Sequence, residues 1–301
     1  MNDQSRSRLK VRRCVFVGVA RNCEPHLRGV LDNLERLAAL YSTASFVFVV
    51  SDSRDATPSI LGQWLAGNRK GKVVNLGDLE QRLPLRTQRI AFVRNACMDV
   101  IRGGEEAGYD HLVVVDLDDV LAAPMSPAAF AKAACWLDAA PTRGGVFANG
   151  VPRYYDIWAL RHRRWCPHDC WHPVWFRDPK QDEHDLKIRE VFARMVKIPR
   201  WIPPVRVLSA FGGIGIYKLK FAAAARYVGV DDRGREICEH VAFNTAVCDA
   251  GGQLYIYPGL TVRSPSEHID QFGNLPERLR PAMVRQRMFM TIRWWLATPL
   301  R

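Results

Sequence analysis

The sequence predicts an α/β fold with a mostly parallel central sheet. Three observations carry that expectation. Apolar, β-branched runs alternate with segments of helical spacing through about the first 120 residues. Those runs are apolar on both faces, as strands covered by helices on each side are. They also end in polar residues, where the ligand-binding loops of such sheets lie.

Residues 15–20 (VFVGVA) read as a first buried strand. The basic stretch 6–13 before it is similar to the start of a secretory leader. The apolar run is short and stops at Arg21-Asn22 without a clear cleavage site, so a strand is expected instead. Residues 27–41 place Leu27, Val30, Leu31, Leu34, Leu37 and Ala38 at helical spacing. Residues 46–50 (FVFVV) form a second strand ending in Ser51-Asp52-Ser53, and 57–66 form a helix with Pro58 in its first turn. A third strand follows at 72–76, a second long helix at 89–102, and a fourth strand at 111–115 (HLVVV) that runs into Asp116-Leu117-Asp118-Asp119. The segments at 20–22, 51–55 and 116–119 all follow strand ends and are expected to converge.

The second half is less regular. Residues 145–148 read as a strand and 161–185 as a long irregular insertion rich in Trp, His, Cys and charge. Prolines mark a break at 199–204, residues 209–217 are glycine-rich, 239–248 look helical, and 254–257 form a short strand.

Bulk composition is ordinary at 48% hydrophobic and 25% charged, but the net charge of +12 is not. It favours polyanionic partners: nucleic acid, nucleotide phosphates or an anionic membrane surface. The 8 cysteines are scattered with no disulfide framework, which points to a reducing, cytoplasmic compartment. No stretch is long and apolar enough to span a bilayer.

Asp116-Leu117-Asp118 is the strongest local signal. Two carboxylates one residue apart, released at a strand end, can share a hard cation such as Mn²⁺ or Mg²⁺. The plain alternative is turn-making or helix-capping acids. VVVDLDDV resembles the DxD motif of the GT-A glycosyltransferases, a Rossmann-like fold. Phe211-Gly212-Gly213-Ile214-Gly215-Ile216-Tyr217 resembles their glycine-containing loop beside the donor sugar. Cys238-Glu239-His240 resembles their acidic xED element, with His240 standing where an acid is expected. Ser266-Glu267-His268 resembles their C-terminal metal-binding His. Residues 89–95 (RIAFVRN) are similar to the R-x-x-x-x-R-N pattern of capsule-type mannosyltransferases and related bacterial and viral sugar transferases.

The resemblance spans about residues 15–268. It implies one GT-A-like catalytic domain over 1–277 with an elaborated C-terminal half. The nucleotide-binding half covers about 11–120 and the acceptor and catalytic half about 121–277. It further implies transfer of a sugar from a UDP- or GDP-sugar to a saccharide or lipid-linked acceptor with Mn²⁺ or Mg²⁺, as in polysaccharide biosynthesis. Asp116, Asp118 and His268 are the metal candidates, Asp118 holding the cation and Asp116 meeting the ribose or a metal-bound water. Arg89 and Arg94 offer charge to the phosphates, and Asn22 and Asp52 meet the base and ribose. Gly212 and Gly213 let backbone approach the donor. Glu239 is the candidate general base, with His240, Asp231 and Asp232 as alternatives. Ordinary turn chemistry remains open for Asn22 and Asp52, and a dipole-favoured first-turn Glu for Glu239.

Tyr154, Tyr155, Asp156 and Trp158 combine aromatic faces with a carboxylate, which suits a sugar acceptor; Tyr155, Asp156 and Trp158 are its candidate contacts. Cys166, His168, Cys170 and His172 lie within seven residues with no second half-site, so an acceptor-side loop is expected rather than structural zinc. Residues 278–301 hold six Arg and no acid, with Trp294 and Trp295. They suit a helix lying on an anionic membrane, peripheral to the inner face, or a helix docked on the core. A nucleotidyltransferase on a similar core is the rival enzyme. A nucleic-acid-binding protein is the rival from another class, although no binding module is present and no nucleic acid is expected as partner.

Overall fold

The computed structural model describes residues 8–266. Eight strands form one sheet: β1 (Arg13–Ala20), β2 (Thr43–Val50), β3 (Gly71–Asn75), β4 (His111–Asp116), β5 (Arg143–Val151), β6 (Val205–Val207), β7 (Ile214–Lys218) and β8 (Gln253–Arg263). Their order across the sheet is β3-β2-β1-β4-β7-β5-β8-β6. β1 pairs parallel to β2 and β4, β2 to β3, and β5 to β8. β7 runs antiparallel between β4 and β5, and β6 antiparallel on the outer edge of β8. The mostly parallel α/β sheet expected from the alternating runs is therefore present.

Helices cover both faces. α1 (Glu24–Ala38), α2 (Thr57–Ala66) and α4 (Pro127–Asp138) pack with Phe16, Phe48, Val113 and Val115 on one side. α3 (Arg86–Gly103) and α8 (Glu239–Asp249) pack with Val15, Val17, Val114 and Phe147 on the other. Each fully buried Val or Phe of these strands contributes about 1.5–3 kcal/mol. Three short helices punctuate the second half: α5 (His172–Trp175), α6 (Glu183–Glu190) and α7 (Leu219–Ala222). No helix among the described residues is long and apolar enough to cross a membrane.

The structure adds elements the sequence did not announce, among them β6, α7 and the short helices α5 and α6 where an irregular segment was expected, and it differs most in three further places. α4 was not anticipated, because its alanine-rich run has little contrast between faces; its start is marked by Ser126, whose Oγ accepts from the Ala129 amide, and by Pro127. The glycine-rich 209–217 segment is a turn leading into strand β7. The last strand, expected at 254–257, runs 11 residues. Pro258 is accommodated there because the β5–β8 register shifts between Phe147 and Asn149, so no ladder amide is needed from it.

Candidate active site

Parallel pairing puts the carboxyl ends of β1, β2 and β4 on one edge: Ala20 lies opposite Val50 and Val19 opposite Asp116. The turns that leave β1 and β2 fasten each other. Asn22 Oδ1 accepts from the Arg54 amide (2.8 Å), the Asn22 amide donates to Ser53 Oγ (3.1 Å), and Glu24 Oε2 accepts from the Ala56 amide (2.8 Å). Asn22 and Asp52 both sit at left-handed φ, 52° and 54°, a conformation that Asn and Asp tolerate better than other side chains. Asp52 Oδ1 accepts from the amides of Leu79 (2.8 Å) and Glu80 (2.9 Å). Those bonds hold its carboxyl below the usual range against the opposing effect of burial.

The antiparallel β7 brings the Gly212-Gly213 turn to the same edge, where the Asp116 amide donates to the Gly213 carbonyl (2.9 Å). Both glycines have positive φ, 72° and 85°. A Cβ on Gly213 would stand 2.4 Å from Val120 Cγ1, and one on Gly212 would stand 2.9 Å from the Ala148 carbonyl oxygen. The requirement for glycine is thus met by the protein's own packing.

The centre of the site is a buried guanidinium. Arg94, on α3, donates from Nε to Glu239 Oε1 and from Nη2 to Asp116 Oδ1, each at 3.0 Å. Phe211 and Tyr227 flank it, their ring centroids 5.3 and 5.8 Å from its Cζ. Arg94 and Glu239 are buried and Asp116 is partly so, which makes these contacts far less screened than a surface pair. Burial, and then the Asp118 charge, push the Asp116 carboxyl up to about 8, against the pull of Arg94. Asp118 is raised too, mainly by burial, although its Oδ1 accepts from the Val120 amide (3.2 Å). Asp116 and Asp118, both partly buried, offer carboxylate oxygens of the kind a hard divalent cation takes. Among the described residues no group of three or more His, Cys, Asp and Glu is gathered that could hold a metal ion. His268 and the basic segment 278–301 lie outside the described residues.

His240 stacks on Phe211 with centroids 3.9 Å apart. Its Nε2 is 3.6 Å from Glu239 Oε1, and neither ring nitrogen has a hydrogen-bond partner among the described residues. Burial and then Arg94 hold its pKa well below 6.5, so the ring is neutral. Asp231 is paired with Arg235, and that contact holds its carboxyl down at about 2, which makes it a poor base. Arg89 donates to the carbonyls of Leu83 and Pro84, each at 2.8 Å, and to Glu80 Oε1 at 3.4 Å, and so pins the 79–85 loop.

Two of the aromatic-segment candidates, Asp156 and Tyr155, reach this edge, while Trp158 is bonded within its own segment. Asp156 Oδ2 accepts from the Gly212 amide (2.9 Å). A Cβ on Gly213 would stand 3.4 Å from the Tyr155 hydroxyl, and burial, then the charges of Asp156, Asp116 and Asp118, raise that phenol well above its ordinary value. Trp158 donates from Nε1 to Asp169 Oδ2 (2.9 Å).

Sequence reasoning missed the brace behind the acidic turn. Asn33, on α1, donates from Nδ2 to the carbonyls of Leu121 (2.6 Å) and Ala123 (2.8 Å) and accepts from the Met125 amide at Oδ1 (2.9 Å). The signal was legible: an Asn stands among the apolar positions of an amphipathic helix. Tyr227 and Asp169 carried no such signal.

No protein-family model and no curated protein sequence matches the chain. Solved structures do resemble it. One is the mannosyltransferase PcManGT from Pyrobaculum calidifontis in complex with GDP-Man and Mn²⁺, at 17% identity over 93% of this chain and 70% of that one, TM-score 0.50. Another is TarS of S. aureus in complex with UDP-GlcNAc, at 12% identity over 86% of this chain and 60% of that one, TM-score 0.47. A third is glucosyl-3-phosphoglycerate synthase from Mycobacterium tuberculosis in complex with Mg²⁺ and UDP, at 13% identity over 95% and 83%, TM-score 0.46. With its strand order, its acids at the end of β4 and the first of these likenesses, the chain has a GT-A glycosyltransferase-like fold.

Proposed function

We propose that the protein is a glycosyltransferase that moves a sugar from a nucleotide-diphosphate donor, a UDP- or GDP-sugar, to a saccharide or lipid-linked acceptor, with Mn²⁺ or Mg²⁺. The observation that carries this reading is the chain Asp116–Arg94–Glu239, which links the metal-type acids at the end of β4 to a carboxylate at the first position of α8. The resemblance to a mannosyltransferase that binds GDP-Man and Mn²⁺ supports it.

In such a transfer an acceptor hydroxyl forms a bond to the anomeric carbon. The bond from that carbon to the diphosphate oxygen breaks, and the hydroxyl proton must leave. Asp118 and Asp116 would hold the cation, which supplies positive charge to the departing diphosphate. Arg94 is a fixed cation beside the same acids. Its planar fork holds Glu239 in one orientation, ready to take the acceptor proton. The neutral His240 ring lies against Phe211 and closes the wall next to Glu239. Tyr155 and Asp156, tied to the Gly212 turn, border the space on the acceptor side. The basic composition of 278–301 supports a cytoplasmic protein peripheral to an anionic membrane face.

Thermal denaturation with nucleotide diphosphates and Mn²⁺ tests the reading. UDP or GDP should raise the midpoint, with adenine nucleotides doing so less, since a ligand at 100 times its Kd adds about 2.7 kcal/mol to the native state. No rise with any nucleotide diphosphate would sink it.

A further inference from the structure

A cluster of aromatic rings lies in the irregular segment between β5 and β6. Trp171 and Trp175 stack with centroids 5.9 Å apart and planes 17° from parallel, and Trp175 meets Trp158 edge-on at 5.5 Å. Phe176 carries the Arg235 guanidinium 5.0 Å over its ring. Two of these rings are well exposed, Trp175 at 43% and Phe176 at 51%. An exposed group of large rings is uncommon on a soluble surface and marks a binding site.

Polar groups fix the rings in place. Asp169 accepts from Trp158 Nε1 and Arg161 at Oδ2 and from the Trp171 and His172 amides at Oδ1. Arg235 is tied to Asp231 and donates to His172 Nε2 at 2.7 Å. Rings already held in one arrangement lose little freedom when a ligand arrives.

The cluster is linked along the chain to the candidate site on two sides. Trp158 is two residues from Asp156, which holds the Gly212 amide. Arg235 is four residues before Glu239, on the segment that enters α8. Arg161, which shares Asp169 with Trp158, also pairs with Ser209 just before the Gly212 turn, so hydrogen bonds tie the ring cluster to the segments that carry the donor turn and the candidate base.

We propose that Trp158, Trp171, Trp175 and Phe176 form a platform for an oligosaccharide acceptor, whose sugar rings rest on the aromatic surfaces while its terminal hydroxyl reaches Glu239. This rests on the glycosyltransferase reading. A sugar presents apolar C–H faces with hydroxyls at their edges, which rings interleaved with charged groups match. A membrane surface is the poorer occupant. It favours continuous apolar area rimmed by cations, whereas Asp169 and Asp231 sit within this cluster.

The test uses the full chain and an array of neutral and acidic oligosaccharides, with Trp175→Ala, Phe176→Ala and Trp175→Tyr. Both targets are exposed, so little core is lost. Each alanine variant should lose about tenfold or more of wild-type retention, as removal of an aromatic hot spot does, and Trp175→Tyr should restore part of it. UDP or GDP with Mn²⁺ should stabilise all variants as it does the wild type. Equal retention by wild type and both alanine variants overturns the platform. So does an array that retains nothing while the nucleotide still stabilises the protein. So does a loss confined to binding of phosphatidylserine vesicles, which would make the patch a membrane contact. Failure of every nucleotide diphosphate to stabilise the wild type is a separate result, and it strikes the glycosyltransferase reading itself.

Discussion

Glu239 has one oxygen committed to Arg94, whose other arm holds Asp116. The guanidinium thus fixes both carboxylates at once, and a change at one is felt by the other. Glu239→Gln keeps the shape and removes the proposed base. We expect it to leave nucleotide and Mn²⁺ stabilisation in place and to lower kcat by about 10²–10⁴-fold. Unchanged turnover would make Glu239 a helix-start residue and return the base assignment to its neighbours. Asp116 gives a second expectation, with a definite sign. Its folded-state pKa is raised to about 8 by burial and the Asp118 charge, well above its unfolded value. The stability it contributes is therefore complete in acid below that unfolded value and is lost as pH rises toward 8. A cation needs the ionised form, so Mn²⁺ should bind more tightly as pH climbs from 6 to 8. Calorimetric titration with Mn²⁺ and nucleotide over that range checks this. An affinity that is flat with pH, or that falls, would refute it.

At the scale of elements, the acidic turn and the glycine turn are positioned by close packing. Gly213 combines φ 85° with a missing Cβ against Val120, the residue two beyond Asp118. Gly213→Ala should destabilise the protein by about 1–3 kcal/mol and weaken nucleotide binding, because the clash pushes on the acidic turn. Val120→Ala in the same chain should recover the steric part but not the backbone strain. Denaturant midpoints of the two single variants and the double variant measure the split. If the double variant is no better than Gly213→Ala alone, strain outweighs contact. Elements of this first half were legible because each is local: VFVGVA, FVFVV and HLVVV announce buried strands without reference to anything distant. β7 was not legible. Its glycines read as a loop, and only the flanking β4 and β5, one about 100 residues upstream, make Ile214–Lys218 a strand. The Arg94 bridge shows the same limit: both of its residues stood out in sequence, but nothing there said that they touch.

On the scale of the whole molecule, the convergence of Asn22, Asp52 and Asp116 followed from topology alone, since parallel strands deliver their carboxyl ends to one edge. The same reasoning yields a prediction for the far end of the chain. β8 runs parallel to β5, and Ser264, the residue after it, is buried at that edge. Its amide donates to Val151 (3.0 Å) and its Oγ to the Arg153 carbonyl (2.6 Å), just before Tyr155. Four residues of extended chain reach about 14 Å. We propose that His268, which lies outside the described residues, returns from that edge to Asp118, although 150 residues separate them in sequence. We expect both to ligate the same ion. An imidazole nitrogen with a carboxylate oxygen suits Mn²⁺ better than Ca²⁺ and leaves positions for diphosphate oxygens. His268→Ala and Asp118→Ala should each weaken Mn²⁺-dependent nucleotide binding by about tenfold or more, as loss of a metal-site residue does. The double variant should lose less than the sum, because the second change falls on a site already broken. Additive losses would mean that the two residues act on separate steps. Mn²⁺ dependence that survives intact in His268→Ala would leave Asp118 and Asp116 to hold the cation with the diphosphate alone.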